Sequence, residues 1–224
     1  MKTYILLSEK SWHDNLFQRL KENVEGNWIR IYTEEEFNKD NLVKLSPDKI
    51  FIPHWSHIIN ADIYKIFECI VFHMTDLPYG RGGSPLQNLI VRGITETKIS
   101  AIKVAQGIDS GDVYLKRSLQ LNGTAKSIFI NAASIIEKMI QEIVKDNITP
   151  TPQEGEIVLF KRRTPQDGNL ASLKSIKSVY DHIRMLDADS YPHAFLETEY
   201  LKFEFTRATL SGEIVSANVR ISKK

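Results

Sequence analysis

Short apolar runs of strand length alternate with amphipathic segments of helix length through the first 146 residues, and this alternation constrains the chain more than any other feature. TYILLS (3–8), NWIRIYT (27–33), KIFIP (49–53) and CIVFH (69–73) read as strands, and KISAIKVA (98–105) and DVYLKRSLQL (112–121) as two more around the turn QGIDSG. Between them, residues 11–24 place Trp12, Leu16, Leu20 and Val24 at helical spacing behind a Ser11 cap. ADIYKIF (61–67) is a short helix, and SPLQNLIVRG (84–93) has proline in its first turn and glycine past its end. The longest helix, 124–146, carries the apolar stripe Ile128, Ala132, Ile135, Ile136, Met139, Ile143 and Val144.

The pattern predicts an α/β fold with a Rossmann-like, mainly parallel sheet. NITPTPQEGE reads as a linker. The expected organisation is a core over 1–146, a linker over 147–156 and a small α+β region over 157–224. In that last region a helix (175–186) precedes two alternating runs joined by the hairpin turn SGE. Such a hairpin is open to pairing with its copy, giving a homodimer, or to closing the protein's own sheet.

Lysine and arginine number 29 against 28 aspartate and glutamate, a net charge of +1. A near-neutral chain has no general attraction for nucleic acid or an anionic membrane, so small-molecule partners are expected and neither of the other two. Cys69 is the single cysteine, which excludes an internal disulfide and suits a cytoplasmic location. No run approaches the roughly 20 apolar residues that cross a bilayer.

The stretch FHMTDLPYGRGGSPLQNLI (72–90) sets a histidine at the end of a buried strand, followed by a loop dense in glycine and proline. In open α/β sheets, ligands bind beyond the carboxyl ends of the strands. HWSHI (54–58) leaves such an end, and QGIDSGD (106–112) does so if its strand runs parallel to the others. His73 is then either a hydrogen-bonded structural histidine or an acid–base group. Asp109, flanked by glycines, is either a turn-forming aspartate or that histidine's partner. GRGGS matches neither nucleotide-binding glycine fingerprint. His54, His57, Cys69 and His73 lack the spacing of zinc ligands, and no metal is expected.

FHMTDLPYGRGGSPLQ resembles the N-x-H-x-S-L-L-P-x-x-x-G-x-x-P segment of folate-dependent formyltransferases, with His73, Leu77, Pro78, Gly82 and Pro85 on the pattern. GIDSGDVYL matches the family's D-x-G segment at Asp109, 36 residues beyond His73. FKRRTPQDG and YDHIRMLDADSYPHAF resemble the start of the C-terminal region of formyltransferases that act on nucleotide-linked amino sugars. The family asparagine two residues before the histidine is Val71 here, which cannot donate to an oxyanion. His54, Ser56 and Thr75 are the candidate substitutes.

The resemblance implies direct formyl transfer from 10-formyltetrahydrofolate to an amine through a tetrahedral intermediate. His73 would donate to the oxyanion and Asp109 would orient it and help remove the amine proton. Trp55, Ile58, Leu77, Arg81, Gly107 and Ile108 would hold the folate, and Tyr79, Arg163 and Tyr191 the acceptor. The C-terminal match makes a nucleotide-linked amino sugar the expected acceptor. The alternatives are glycinamide ribonucleotide, methionyl-tRNA, or a formyltransferase-like binding protein without turnover.

Overall fold

The computed structural model describes residues 1–224. Its contacts divide the chain into two compact units. The first comprises 1–82, 97–119 and 130–159, and the second 83–96, 120–129 and 160–224.

A six-stranded sheet is built from β1 (Thr3–Leu7), β2 (Asn27–Ile31), β3 (Lys49–Ile52), β4 (Cys69–His73), β6 (Glu96–Lys103) and β7 (Val113–Gln120), in the order β2-β1-β3-β4-β6-β7. The first four strands are mutually parallel. The two-residue period of the strands sorts their side chains between two faces. Ile5, Leu7, Ile50, Ile52 and Cys69 enter one cluster, with Leu42 from α2 (Lys39–Leu45) and Ile63 from α3 (Ala61–Tyr64). On the other face Tyr4, Trp28, Phe51 and Phe72 form a row, with ring centroids 5.0, 5.8 and 6.5 Å apart. Strands covered on both sides read as continuous apolar runs, which is why CIVFH is so uniform. Leu16 and Leu20 of α1 (Asp14–Asn23) are fully buried, each contributing roughly 1.5–3 kcal/mol. The stripe of α5 (Ala125–Asp146) is buried at Ile128, Ala132, Ile136, Met139 and Ile143.

The structure departs from the sequence reading at β6. It pairs antiparallel with β4, Ile70 opposite Lys103 and His73 opposite Ser100. The end of β6 therefore lies beside the start of β4, not beside His73. A short strand β5 (Tyr79–Gly82) follows the His73 loop and pairs with β8 (Val158–Phe160). Neither β5 nor α2 was expected, since both are short and lack a marked period.

In the second unit α4 (Pro85–Val91) packs against α6 (Ile176–Met185). A three-stranded antiparallel sheet runs in the order β11 (Ile214–Lys223), β10 (Leu201–Ser211), β9 (Ala194–Glu197). The expected hairpin is present, interrupted between Thr206 and Thr209 by a bulge where Arg207 takes a positive φ of 53°. A buried ion pair ties the unit together. Arg184 Nε donates to Asp181 Oδ1 at 2.7 Å, and its Nη1 donates to the carbonyls of Leu121 at 2.7 Å and Gly123 at 3.0 Å. Arg184→Ala would leave two carbonyls without their donor and the Asp181 carboxylate with Lys177 alone, which pairs with its Oδ2 at 2.8 Å. The expected loss is about 3–5 kcal/mol, read as a shift in the urea midpoint.

Candidate active site

β4 ends by delivering His73 to a turn held by side chains of β6 and β7. The Leu77–Pro78 peptide is cis. Ser100 Oγ donates to Thr75 O at 2.7 Å and accepts from the Leu77 N–H at 3.2 Å. Lys116 Nζ donates to Asp76 Oδ1 at 2.5 Å and to the Leu77 carbonyl, and Lys98 pairs with Asp76 at 2.9 Å. His73 is 7% exposed, so its ring needs partners. It has two: Nε2 lies 2.8 Å from the Gly80 carbonyl and Nδ1 lies 3.5 Å from Asp109 Oδ2. A carbonyl only accepts, so Nε2 carries the proton. Nδ1 faces the Asp109 carboxylate.

Asp109 reaches His73 by a route the sequence did not reveal. Its loop leaves β6 at the far end of β4 and runs back about three residue steps, roughly 10 Å. Gly111 makes the return possible: a Cβ there would lie 1.7 Å from the Lys103 carbonyl oxygen. Asp109 sits at a positive φ of 48°, a conformation that aspartate tolerates better than most residues. Its Oδ2 accepts from the Gly82 N–H at 2.9 Å, so one carboxylate joins the two glycine-rich loops.

Sequence reasoning missed Gln153, which it placed in the linker. Gln153 Nε2 donates to the carbonyls of Asp109 and Gly111, both at 2.8 Å. Its Oε1 accepts from Arg81 Nε at 3.1 Å and Nη2 at 2.8 Å. One amide thus fixes the aspartate loop and the Arg81 fork together, using the two N–H donors and the carbonyl acceptor that an amide combines. Gln153→Ala is expected to lower kcat about ten- to a hundredfold with a Tm change of a few degrees at most. Gln153→Glu should do no better, because it keeps the acceptor for Arg81 and loses both donors. Steady-state kinetics beside a thermal melt checks this.

The other expected residues fall in several settings. Trp55 is half-buried, edge-on to Phe37 at 6.2 Å. Ile58 and Ile108 are 83% and 69% exposed, an unusual state for isoleucine. Gly107 adopts a positive φ of 98° beside Ile108. Leu77 is fully buried, with its N–H and carbonyl both bonded internally. His54 lies edge-on to Trp12 at 5.8 Å, and burial with Lys10 nearby pushes its pKa down to about 4. It is therefore a neutral imidazole at physiological pH. Val71 packs against the apolar cluster on the sheet face that His73 shares. Cys69 is buried and its thiol is pushed up to about 12, an inert packing residue. Tyr79 is half-buried in the first unit. Arg163 and Tyr191 belong to the second unit, where Tyr191 lies against Phe129 at 5.4 Å and burial raises its hydroxyl to about 12.

Comparison with known proteins sharpens the picture. The family described as "Methionyl-tRNA formyltransferase, C-terminal domain" matches residues 165–222. A methionyl-tRNA formyltransferase from Francisella philomiragia is 30% identical over 223 residues, covering 92% of this chain and 70% of that protein. One from Thermodesulfovibrio yellowstonii is 26% identical, covering 75% of this chain and 58% of that protein. The solved structure of a methionyl-tRNA formyltransferase from Clostridium thermocellum is 44% identical, covers 100% of both chains and superposes with a TM-score of 0.97. HypX from Aquifex aeolicus, solved with tetrahydrofolic acid, shares the fold at TM-score 0.74 and 17% identity, over 92% of this chain and 37% of that one. A sugar N-formyltransferase from Shewanella sp. FDAARGOS_354 shares it at TM-score 0.67 and 13% identity, over 89% of this chain and 94% of that one.

These matches overturn the nucleotide-linked amino sugar as acceptor, since the 44% and 30% relatives both act on methionyl-tRNA and the sugar enzyme shares only the fold. The expectation of no nucleic-acid partner loses its ground, since both relatives are named for a tRNA substrate. The FKRRTPQDG and SYPHAF segments misled because they lie at the 3₁₀ turn Pro165–Gly168 and the approach to β9, where they serve the fold. Thr164 and Asp167 form a capping box there, and Gly168 lies against Leu186 and Ala194.

Proposed function

The chain belongs to the formyltransferase family, and on that premise we propose that it transfers the formyl group of 10-formyltetrahydrofolate to the amine of methionine carried on a tRNA. The observation that carries the reading is the 44% identity over the whole of both chains to a methionyl-tRNA formyltransferase.

The residues at hand fit the reaction. The neutral α-amine attacks the formyl carbon, a C–N bond forms and the carbonyl oxygen takes the negative charge. His73, holding a proton on Nε2 against Gly80 O, offers that proton to the developing oxyanion. The carboxylate of Asp109 stands behind Nδ1 and stabilises an imidazolium there, so the pair can receive the proton that the amine sheds. Collapse restores the carbonyl, breaks the bond to N10 of the folate, and returns a proton to N10. No protein nucleophile is required. The exposed Ile58 and Ile108, with Trp55, offer apolar surface for a flat pterin, and Arg81, aimed by Gln153, a cation for a folate carboxylate.

Formylation of methionine-charged tRNA with 10-formyltetrahydrofolate tests the reading, with mass spectrometry of the released amino acid. N-formylmethionine should appear and require charged tRNA. If charged tRNA stays unmodified while another amine is formylated, the acceptor is wrong.

A further inference from the structure

One edge of the three-stranded sheet is left open. β9 is covered on its outer side, where Asn169 bridges Phe195 and the Leu170 N–H donates to the Phe195 carbonyl at 2.8 Å. β11 ends the sheet on the other side, with β10 as its neighbour. It runs for ten residues, IVSANVRISK, roughly 33 Å of strand. Edge strands of natural proteins are commonly blunted by shortness, proline or inward-pointing charges. β11 has neither proline nor a carboxylate, and its cations are Arg220 and, at its end, Lys223.

One face of that edge is apolar. The register with β10 sets Phe203 opposite Ile221, Phe205 opposite Val219 and Leu210 opposite Val215, so these side chains share a face. Val219 and Ile221, on the open strand, are 48% and 58% exposed. β11 is also complementary to its own copy. Antiparallel pairing about a two-fold axis at Asn218 sets Val219 opposite Ala217, Ile221 opposite Val215 and Arg220 opposite Ser216 of the second copy. The same spacing brings Lys223 opposite Glu213, and the two-fold repeats that ion pair at the other end. Both residues are exposed. An axis one residue to either side sets Lys223 opposite Val215 or Ser211, with no charge to meet it.

We propose that β11 is the contact surface for a second copy of this chain, paired antiparallel about Asn218, so that two three-stranded sheets join into one of six strands with a continuous apolar face. The inference goes beyond the reaction and does not rest on it. Edge pairing supplies the backbone partners that an edge strand lacks, and a two-fold contact closes, so association stops at two. The contact is one strand wide, which sets it at the small end of specific interfaces, with a dissociation constant in the micromolar range.

Sedimentation equilibrium of the full chain, from about 1 to 200 µM, tests it. The mass should rise from one chain to two across that range. Val219→Lys, at an exposed position, sets a lysine of each copy beside the axis and should hold the protein monomeric throughout. Val43→Lys makes the same change at an exposed valine of α2 and should associate as the wild type does. Glu213→Lys or Lys223→Glu alone sets like charges opposite each other at both ends, and should weaken dimerisation about fivefold at low salt. The double variant that exchanges them should return to within about twofold of wild type. Thermal melts confirm that each variant is folded. A wild-type chain that stays monomeric at the highest concentration, or a dimer that survives Val219→Lys, overturns the inference. Charge variants that dimerise as tightly as wild type overturn the pairing about Asn218.

Discussion

His73→Ala should lower kcat for formyl transfer about a thousandfold while tetrahydrofolate binding, followed by calorimetry, changes less than threefold. The size follows from what one positioned proton donor or acceptor supplies, roughly 10²–10⁴. The selectivity follows from geometry. The ring is buried between Gly80 O at 2.8 Å and Asp109 at 3.5 Å, so little of it is available for binding a large flat ligand. Asp109→Asn should cost a similar factor, because the amide cannot stabilise an imidazolium. The double variant should be scarcely worse than either single one, since the two residues act as a unit. An alanine variant within tenfold of wild type would remove His73 from the chemistry and leave it a buried histidine satisfied by a carbonyl.

The second large effect is expected from a residue with no chemistry. Gly111→Ala would place a Cβ 1.7 Å from the Lys103 carbonyl oxygen, and no rotamer relieves a clash between two backbones. The loop must move, and three bonds move with it: the Lys103 N–H to Asp112 O at 2.8 Å, and the two from Gln153 to Asp109 and Gly111. A displacement near 1 Å at the Asp109 carboxylate costs about a hundredfold in kcat, and overpacking costs about 1–3 kcal/mol of stability. A urea titration and a kcat measurement on the same preparation separate the two. Wild-type activity in this variant would mean that the position of Asp109 does not matter.

Both expectations concern a site of which the sequence showed only half. CIVFH is bounded as observed, Cys69–His73, because a strand covered on both faces shows itself as an unbroken apolar run. The histidine that ends such a run must find a partner in a loop, and the glycines at 107 and 111 mark a loop able to approach it. The amide of Gln153 was hidden in a proline-rich stretch whose composition reads as a spacer. Nothing local distinguishes an amide that bonds four groups from one that faces water. The acceptor was misjudged for a related reason: FKRRTPQDG and SYPHAF lie at a capped turn and at the approach to β9, and a segment that serves the fold reads locally like one that serves a ligand.

Residue pattern alone determined the α/β class, the strands of the parallel half of the sheet, the longest helix and its buried stripe, and the hairpin. Each follows from local periodicity, because a chain must place its apolar side chains on one face or bury both. Tertiary structure alone decided that β6 runs antiparallel, that the Asp109 loop doubles back to His73, and that Gln153 braces it. Strand direction, loop path and hydrogen-bond partner depend on which surfaces meet in space, and periodicity carries no record of that.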